Sequence, residues 1–168
     1  MVREKILLTP EGYKRMKKEL EELIKFRRRE VTQRLKEALE FGHFEENTEY
    51  EDARNEQALI EGRIAELDRI LSSAEVIKKA KDNAIVRLGT KVVIENKNSG
   101  EMITGLIVST VEADPVKNRI SNKSPVGSAI IGKKVGEEVD VKTPQGEQRY
   151  KILEISNHTS TTEPFEEI

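Results

Sequence analysis

At 168 residues the chain has room for one ordinary domain or two small ones. Charged residues make up 36% and aromatics only 4%, with no Trp, a balance that suits long solvated helices better than one large core. The absence of Cys excludes disulfides, thiolate metal sites and cysteine nucleophiles; the only two histidines, His43 and His158, lie too far apart in sequence to suggest a zinc site; and a net charge of −2 gives no global pull toward nucleic acid.

The first apolar run, Ile6-Leu7-Leu8, is too brief for a signal-peptide core or a membrane span, so a soluble cytoplasmic protein is expected. Thr9-Pro10-Glu11 then reads as an N-cap, a proline in the first helical position and an acid in the first turn. Apolar positions follow at Tyr13, Met16, Leu20 and Leu23, and shift register through Ile24 to Val31, Leu35 and Ala38. The early spacing is that of a coiled-coil seam, and a slip near Arg27-Arg28-Arg29 is what an inserted stutter produces.

Glu40 to Asp52 breaks this pattern. Gly42 lowers helix propensity, and Asn47-Thr48 offers the cap chemistry of a new start. Every charged residue in that stretch except the titratable His43 is acidic: Glu40, Glu45, Glu46, Glu49, Glu51 and Asp52. Beyond it, Tyr50, Ala53, Gln57, Ile60, Ile64, Leu67, Leu71 and Ala74 alternate steps of three and four, a second seam of matching length. Neither seam can bury its stripe alone, so the two are expected to fold back as an antiparallel hairpin with arms of roughly 45 Å. Carboxylates concentrated at the end of such a rod either stay in water or meet a cation, which makes the tip a candidate working end.

After Ala74 the composition changes. Glu75-Val76-Ile77 is expected to pack against Ile6-Leu7-Leu8, and Lys78 to Asn83 reads as a linker. Strands are predicted at Thr90 to Glu95 and Glu101 to Val111, joined by the turn Asn96 to Gly100, and at Val139 to Val141 and Gln148 to Ile155 around Thr143-Pro144-Gln145-Gly146. Between the two pairs Ser124-Pro125 caps a short helix stopped by Gly132. The expected fold is α+β in two domains: a coiled-coil hairpin over residues 1–77 with its tip near 41–48, a linker over 78–84, a small antiparallel sheet domain with one short helix over 85–156, and a disordered polar tail over 157–168.

Leu8-Thr9-Pro10-Glu11-Gly12-Tyr13, Gly42 with Glu46-Asn47-Thr48-Glu49-Tyr50, Ala53-Arg54-Asn55-Glu56-Gln57, Glu61-Gly62-Arg63-Ile64, Ser121-Asn122-Lys123-Ser124-Pro125 and Ile130-Ile131-Gly132-Lys133 occur in one order. Together they resemble the Gre transcript cleavage factors of bacterial RNA polymerase, of the GreA type, over almost the whole chain. The resemblance implies an FKBP-like C-terminal domain that docks on the rim of the polymerase's secondary channel, with Ser121, Ser124 and Pro125 on the facing loop. It implies a monomeric factor without enzymatic activity or cofactor of its own, whose tip brings carboxylates, Glu46 with Glu45 beside it, to a Mg²⁺ ion in the polymerase active site for cleavage of backtracked RNA. Arg54 matches a basic-patch position of the family, and Arg28 and Arg34 extend that patch toward the phosphates of the RNA 3′ segment.

Two positions depart from the family's tip pattern. His43 stands where an aspartate follows the glycine, and Leu39 stands where an arginine precedes it. Neutral imidazole is a poor Mg²⁺ ligand, so Glu46 keeps its role while its usual partner is missing, and Glu45 is the nearest substitute. The alternative function is occupancy of the secondary channel with weak or no cleavage stimulation. Helix-surface ion pairs with Glu30, Glu37 and Glu51 are the plainer account of the arginines. A prolyl isomerase is excluded because Tyr150 is the sole aromatic between Ala84 and Ser156, and a free RNA-binding hairpin is disfavoured by its acidic end.

Overall fold

The computed structural model describes residues 4–40, 47–78 and 82–157. They divide into two compact units: Gly12–Ala74 with the chain start through Ile6, and Leu7–Glu11 with Glu75 onward. The architecture is the expected α+β pair, a helical hairpin and a sheet domain.

The first arm of the hairpin is one helical run, α1 (Pro10–Glu22), a π-helical turn (Leu23–Arg27) and α2 (Arg28–Glu40). The second arm is α3 (Thr48–Ser72), 25 residues or about 38 Å. Glu19, Arg28 and Arg34 meet Arg63, Glu61 and Glu56 in descending order, so the arms are antiparallel. Val31, Ala53, Ile60 and Ile64 form the buried seam, with Leu20, Leu23 and Leu35 packed against it.

Three details of the expected seam are corrected. The slip lies where expected, in a turn over Leu23–Arg27 that runs into the arginine triplet, but it is a π-helical insertion of one residue rather than a stutter. Here the Arg28 N–H reaches back to the Leu23 carbonyl. A π turn holds one residue more than an α turn, so Leu23 and Val31, eight apart, regain a common face. Ile24 consequently turns outward, 40% exposed, as does Phe26 at 62%. At the far end α3 stops at Ser72, so Ile70 rather than Leu71 is buried, and Ala74 belongs to a strand.

That strand, β2 (Ala74–Val76), pairs with β1 (Ile6–Leu8), which realises the packing expected of the two apolar runs. Ile6 N–H donates to the Ser73 carbonyl and Ile77 N–H to the Leu8 carbonyl.

The second unit is a five-stranded sheet in the order β5-β4-β3-β7-β6. β3 (Thr90–Asn96) and β4 (Met102–Val108) form one antiparallel pair, β6 (Glu138–Thr143) and β7 (Gly146–Asn157) another, and β3 pairs β7 across a bulge at Val93/Ile94. The expectation of a purely antiparallel sheet is corrected by β5 (Arg119–Ser121), which lies parallel to β4 at its edge. The short helix α4 (Pro125–Ile130) supplies Ile130 to a core built from Val92, Ile94, Ile107, Val141 and Ile152. Gly127 is required there, since a Cβ on it would lie 2.0 Å from the Ser121 carbonyl oxygen. Among the described residues no helix is long and apolar enough to cross a membrane.

Candidate functional site

Two surfaces carry the residues singled out by the sequence: the end of the hairpin and the turn before α4. His43, Glu45 and Glu46 lie outside the described residues. Their supports are described. A helix leaves its last carbonyls and first N–H groups without partners inside the helix. Asn47 serves both ends of the break at once: its Oδ1 accepts the Tyr50 N–H at 3.1 Å as the N-cap of α3, while its Nδ2 donates to the Ala38 carbonyl in the last turn of α2 at 2.8 Å. Ala38 and Ala53, both nearly inaccessible, bring the helices close just below this clasp.

The tip thus springs from two tied helix ends. Exposed carboxylates of Glu40, Glu49, Glu51 and Asp52 surround the ends of the break, and the positive end of the α3 dipole favours Glu49 and Glu51 in its first turn. Among the described residues no group of three or more His, Asp or Glu is arranged to hold a metal by itself. The chemistry of the tip set is nevertheless that of hard oxygen donors, which suits a shared Mg²⁺ and leaves His43 as the poor fit.

The candidate RNA-binding arginines fall into two kinds. Arg28 donates twice to Glu61, at 2.7 and 2.8 Å, and Arg34 donates to Glu56, which also holds Arg27 at 2.7 Å. The hydrogen bonds from Arg28 pull the Glu61 carboxyl below its ordinary range, against a desolvation that acts the other way, and the same contact raises Arg28. These arginines therefore brace the hairpin, with partners on the opposite arm. Of the three expected partners, Glu30, at 3.1 Å from Arg27, is the one that forms an ion pair among the described residues; Arg28 and Arg34 pair instead with Glu61 and Glu56. Arg54 is different: it is exposed, and among the described residues no ion pair holds it. It stands on the second turn of α3, next to the acidic end.

On the sheet domain, Ser124 caps α4 by accepting the Gly127 N–H and donates its own hydroxyl to the Ser121 carbonyl at 2.7 Å. The Ser121 hydroxyl is within 3.1 Å of Thr110 Oγ1 and accepts the Lys123 N–H. Both serines are thus engaged in holding the turn, and Pro125 is the exposed member of the three. Sequence reasoning missed what lies beside the turn, an open depression of about 470 Å³ lined by Ile85, Leu88, Ile131, Arg87, Asn122 and Ser128 over the fully buried Val86. The Ile85-Val86-Arg87-Leu88 run, at the expected start of the sheet domain, was its only signal, too short to show that a depression forms over it. No aromatic lines it, and Tyr150 is buried in the core instead.

A second missed residue is Glu112, a glutamate 4% exposed in a 3₁₀ turn after β4. Its carboxylate accepts the Thr9 N–H at 2.8 Å and the Thr9 hydroxyl at 2.6 Å, within the unit that contains Leu7–Glu11.

Comparison with known proteins gives a consistent picture. The family model described as transcription elongation factor, N-terminal, matches residues 6–76, and that described as transcription elongation factor, GreA/GreB, C-terminal, matches residues 81–157. The chain is 47% identical over 152 residues to the transcription elongation factor GreA of Clostridium acetobutylicum, covering 90% of this chain and 96% of that protein. It is 44% identical to GreA of a Thermotoga species, covering 91% and 98%. Among solved structures, GreA factor homolog 1 of Thermus thermophilus is 33% identical over 91% of this chain and 99% of that one, with a TM-score of 0.43. A GreA/GreB factor from Nitrosomonas europaea is 22% identical over 92% and 99%, with a TM-score of 0.40.

Proposed function

This chain belongs to the GreA/GreB family of transcription elongation factors, and we propose that it serves RNA polymerase as an accessory factor that stimulates the polymerase's own cleavage of backtracked RNA. The observation that carries this reading is the hairpin itself. Its two arms close on a buried seam, and Asn47 ties both helix ends at the point where the carboxylate-bearing tip begins.

In this reading the hairpin enters the secondary channel of the polymerase, and the loop with Ser121, Ser124 and Pro125 faces the channel rim. Glu46, with Glu45 beside it, presents carboxylate oxygens at the active site. A Mg²⁺ ion held there supplies the Lewis acidity and activated water for phosphodiester hydrolysis. Glu46 fixes the position of that charge from the protein side, and the stiffness of the clasped arms limits how far it wanders. Arg54, uncompensated by any described carboxylate, binds the phosphates of the extruded RNA 3′ segment. Arg28 and Arg34 are committed to Glu61 and Glu56 and contribute mainly rigidity.

A second reading, occupancy of the channel with weak stimulation, is favoured by His43 and Leu39, the two departures near the tip. One experiment separates them. Backtracked elongation complexes are mixed with the protein, RNA shortening is followed as Mg²⁺ is titrated, and Glu46→Ala and His43→Asp are run in parallel. Stimulation lost in Glu46→Ala with polymerase binding unchanged supports the cleavage reading. Shortening absent with the natural protein and gained with His43→Asp supports occupancy, and stimulation that survives Glu46→Ala refutes the role given to Glu46.

A further inference from the structure

The apolar depression beside α4 has an occupant within reach on the same chain. β7 ends at Asn157, paired with Thr90, and Thr90 is two residues from Leu88 in the wall of the depression. Residues 158–168 continue from that point and lie beyond the C-terminal family match, which ends at residue 157. Phe165 is eight residues past Asn157, a reach of up to about 26–29 Å, whereas Leu88 lies at most about 7 Å along the chain from Thr90.

The composition of this segment is specific. After the polar run His158 to Thr162 come Glu163-Pro164-Phe165-Glu166-Glu167-Ile168, in which Phe165 is flanked by three acids. The depression answers each feature. Ile85, Leu88 and Ile131 give it an apolar wall, and its volume of about 470 Å³ exceeds the roughly 150 Å³ that already accommodates benzene. Arg87 stands on its rim, with Lys123 next to Asn122 and Lys133 next to Gly132. Asp82, 3.9 Å from Arg87, is the acid that faces the same guanidinium.

We propose that Glu163–Ile168 seats on this depression in the free protein, with the Phe165 ring between Ile85, Leu88 and Ile131 and the glutamates over Arg87 and its neighbouring lysines. An extended segment needs no helix or strand of its own to place one ring. Because the depression adjoins the Ser121–Pro125 turn, the seated segment competes with a partner at that face; this second half rests on the docking role proposed above. For short tethers the effective concentration is on the order of millimolar. A segment that binds in isolation with a dissociation constant of about 0.1–1 mM is then seated in half to nine-tenths of molecules, and weakens docking about two- to tenfold.

The chain has no cysteine, so Thr162→Cys takes a single nitroxide label. Methyl spectra of the full chain are expected to show selective broadening at Ile85, Leu88 and Ile131, abolished by adding Phe165→Ala. Broadening spread over other faces, or unchanged by Phe165→Ala, overturns the seating. Broadening that appears only when labelled and unlabelled chains are mixed assigns the segment to a second copy, and overturns it as well. Polymerase affinity is then compared for the natural chain and Phe165→Ala. A two- to tenfold gain in the variant supports the competition. Seating without any gain refutes the competition and points to a fault in the docking assignment rather than in the intramolecular contact.

Discussion

Replacing Asn47 by Ala tests whether the clasp holds the working end. The substitution removes an N-cap, a loss of about 0.5–2 kcal/mol, and the hydrogen bond to the Ala38 carbonyl, about 0.5–1.5 kcal/mol. Both reside in one side chain, so the two do not simply add, and a combined local loss of about 1–2 kcal/mol is expected. That corresponds to a factor of about 5–30 in the local opening equilibrium. Amide exchange reads it directly: protection of Tyr50, whose N–H meets the Asn47 Oδ1, and of Glu51, whose N–H meets the Asn47 carbonyl, should fall by that factor, with amides near Ile60 unaffected. Asn47→Asp keeps the acceptor and loses the donor, so Tyr50 should stay protected while the end of α2 loosens. If exchange at Tyr50 and Glu51 is unchanged in Asn47→Ala, the clasp is not what holds the tip, and the delivery mechanism built on it fails.

Thr9→Val removes the hydroxyl partner of the buried Glu112 and should cost about 1.5–3 kcal/mol in denaturant unfolding of the C-terminal unit; a change within error refutes a structural role for the pair. Deleting Phe26 removes the extra residue of the π turn, sets Leu23 and Val31 seven apart, and should leave an ordinary helix with no loss of helical circular dichroism or thermal stability. A large drop in melting temperature refutes the phase argument. Glu61 has its folded pKa depressed, chiefly by hydrogen bonds from Arg28, so its contribution is complete above the unfolded carboxylate pKa and is lost as pH falls through the folded value. Glu61→Gln should therefore flatten the acid limb of hairpin stability, and an unchanged limb shows that the pair is not coupled to folding.

Where local chemistry decides the outcome, the fold was readable in the residues. Thr9-Pro10 and Ser124-Pro125 start helices because capping needs only the next three residues, and the two β-hairpins follow from turn residues and alternation nearby. What escaped reading depends on partners distant in sequence. Arg119–Ser121 is three residues long and becomes a strand only because β4 lies alongside. Glu112 sits in a polar stretch and is buried by Thr9, 103 residues away. A one-residue insertion and a stutter leave almost the same trace in an apolar pattern until the opposite arm fixes the phase.

The arginines make the same point about function. Arg28, Arg34 and Arg54 are alike in sequence, all basic positions on helices near an acidic tip. Glu61 and Glu56 neutralise the first two from across the hairpin, and Arg54 has no such neighbour among the described residues. A cation already paired releases little when it meets a phosphate, since the carboxylate it leaves must be resolvated, whereas an unpaired one releases counterions outright. The tertiary pairing thus divides the three arginines into two that brace the hairpin and one, Arg54, without a described carboxylate partner, a distinction that no count of charges along the chain contains.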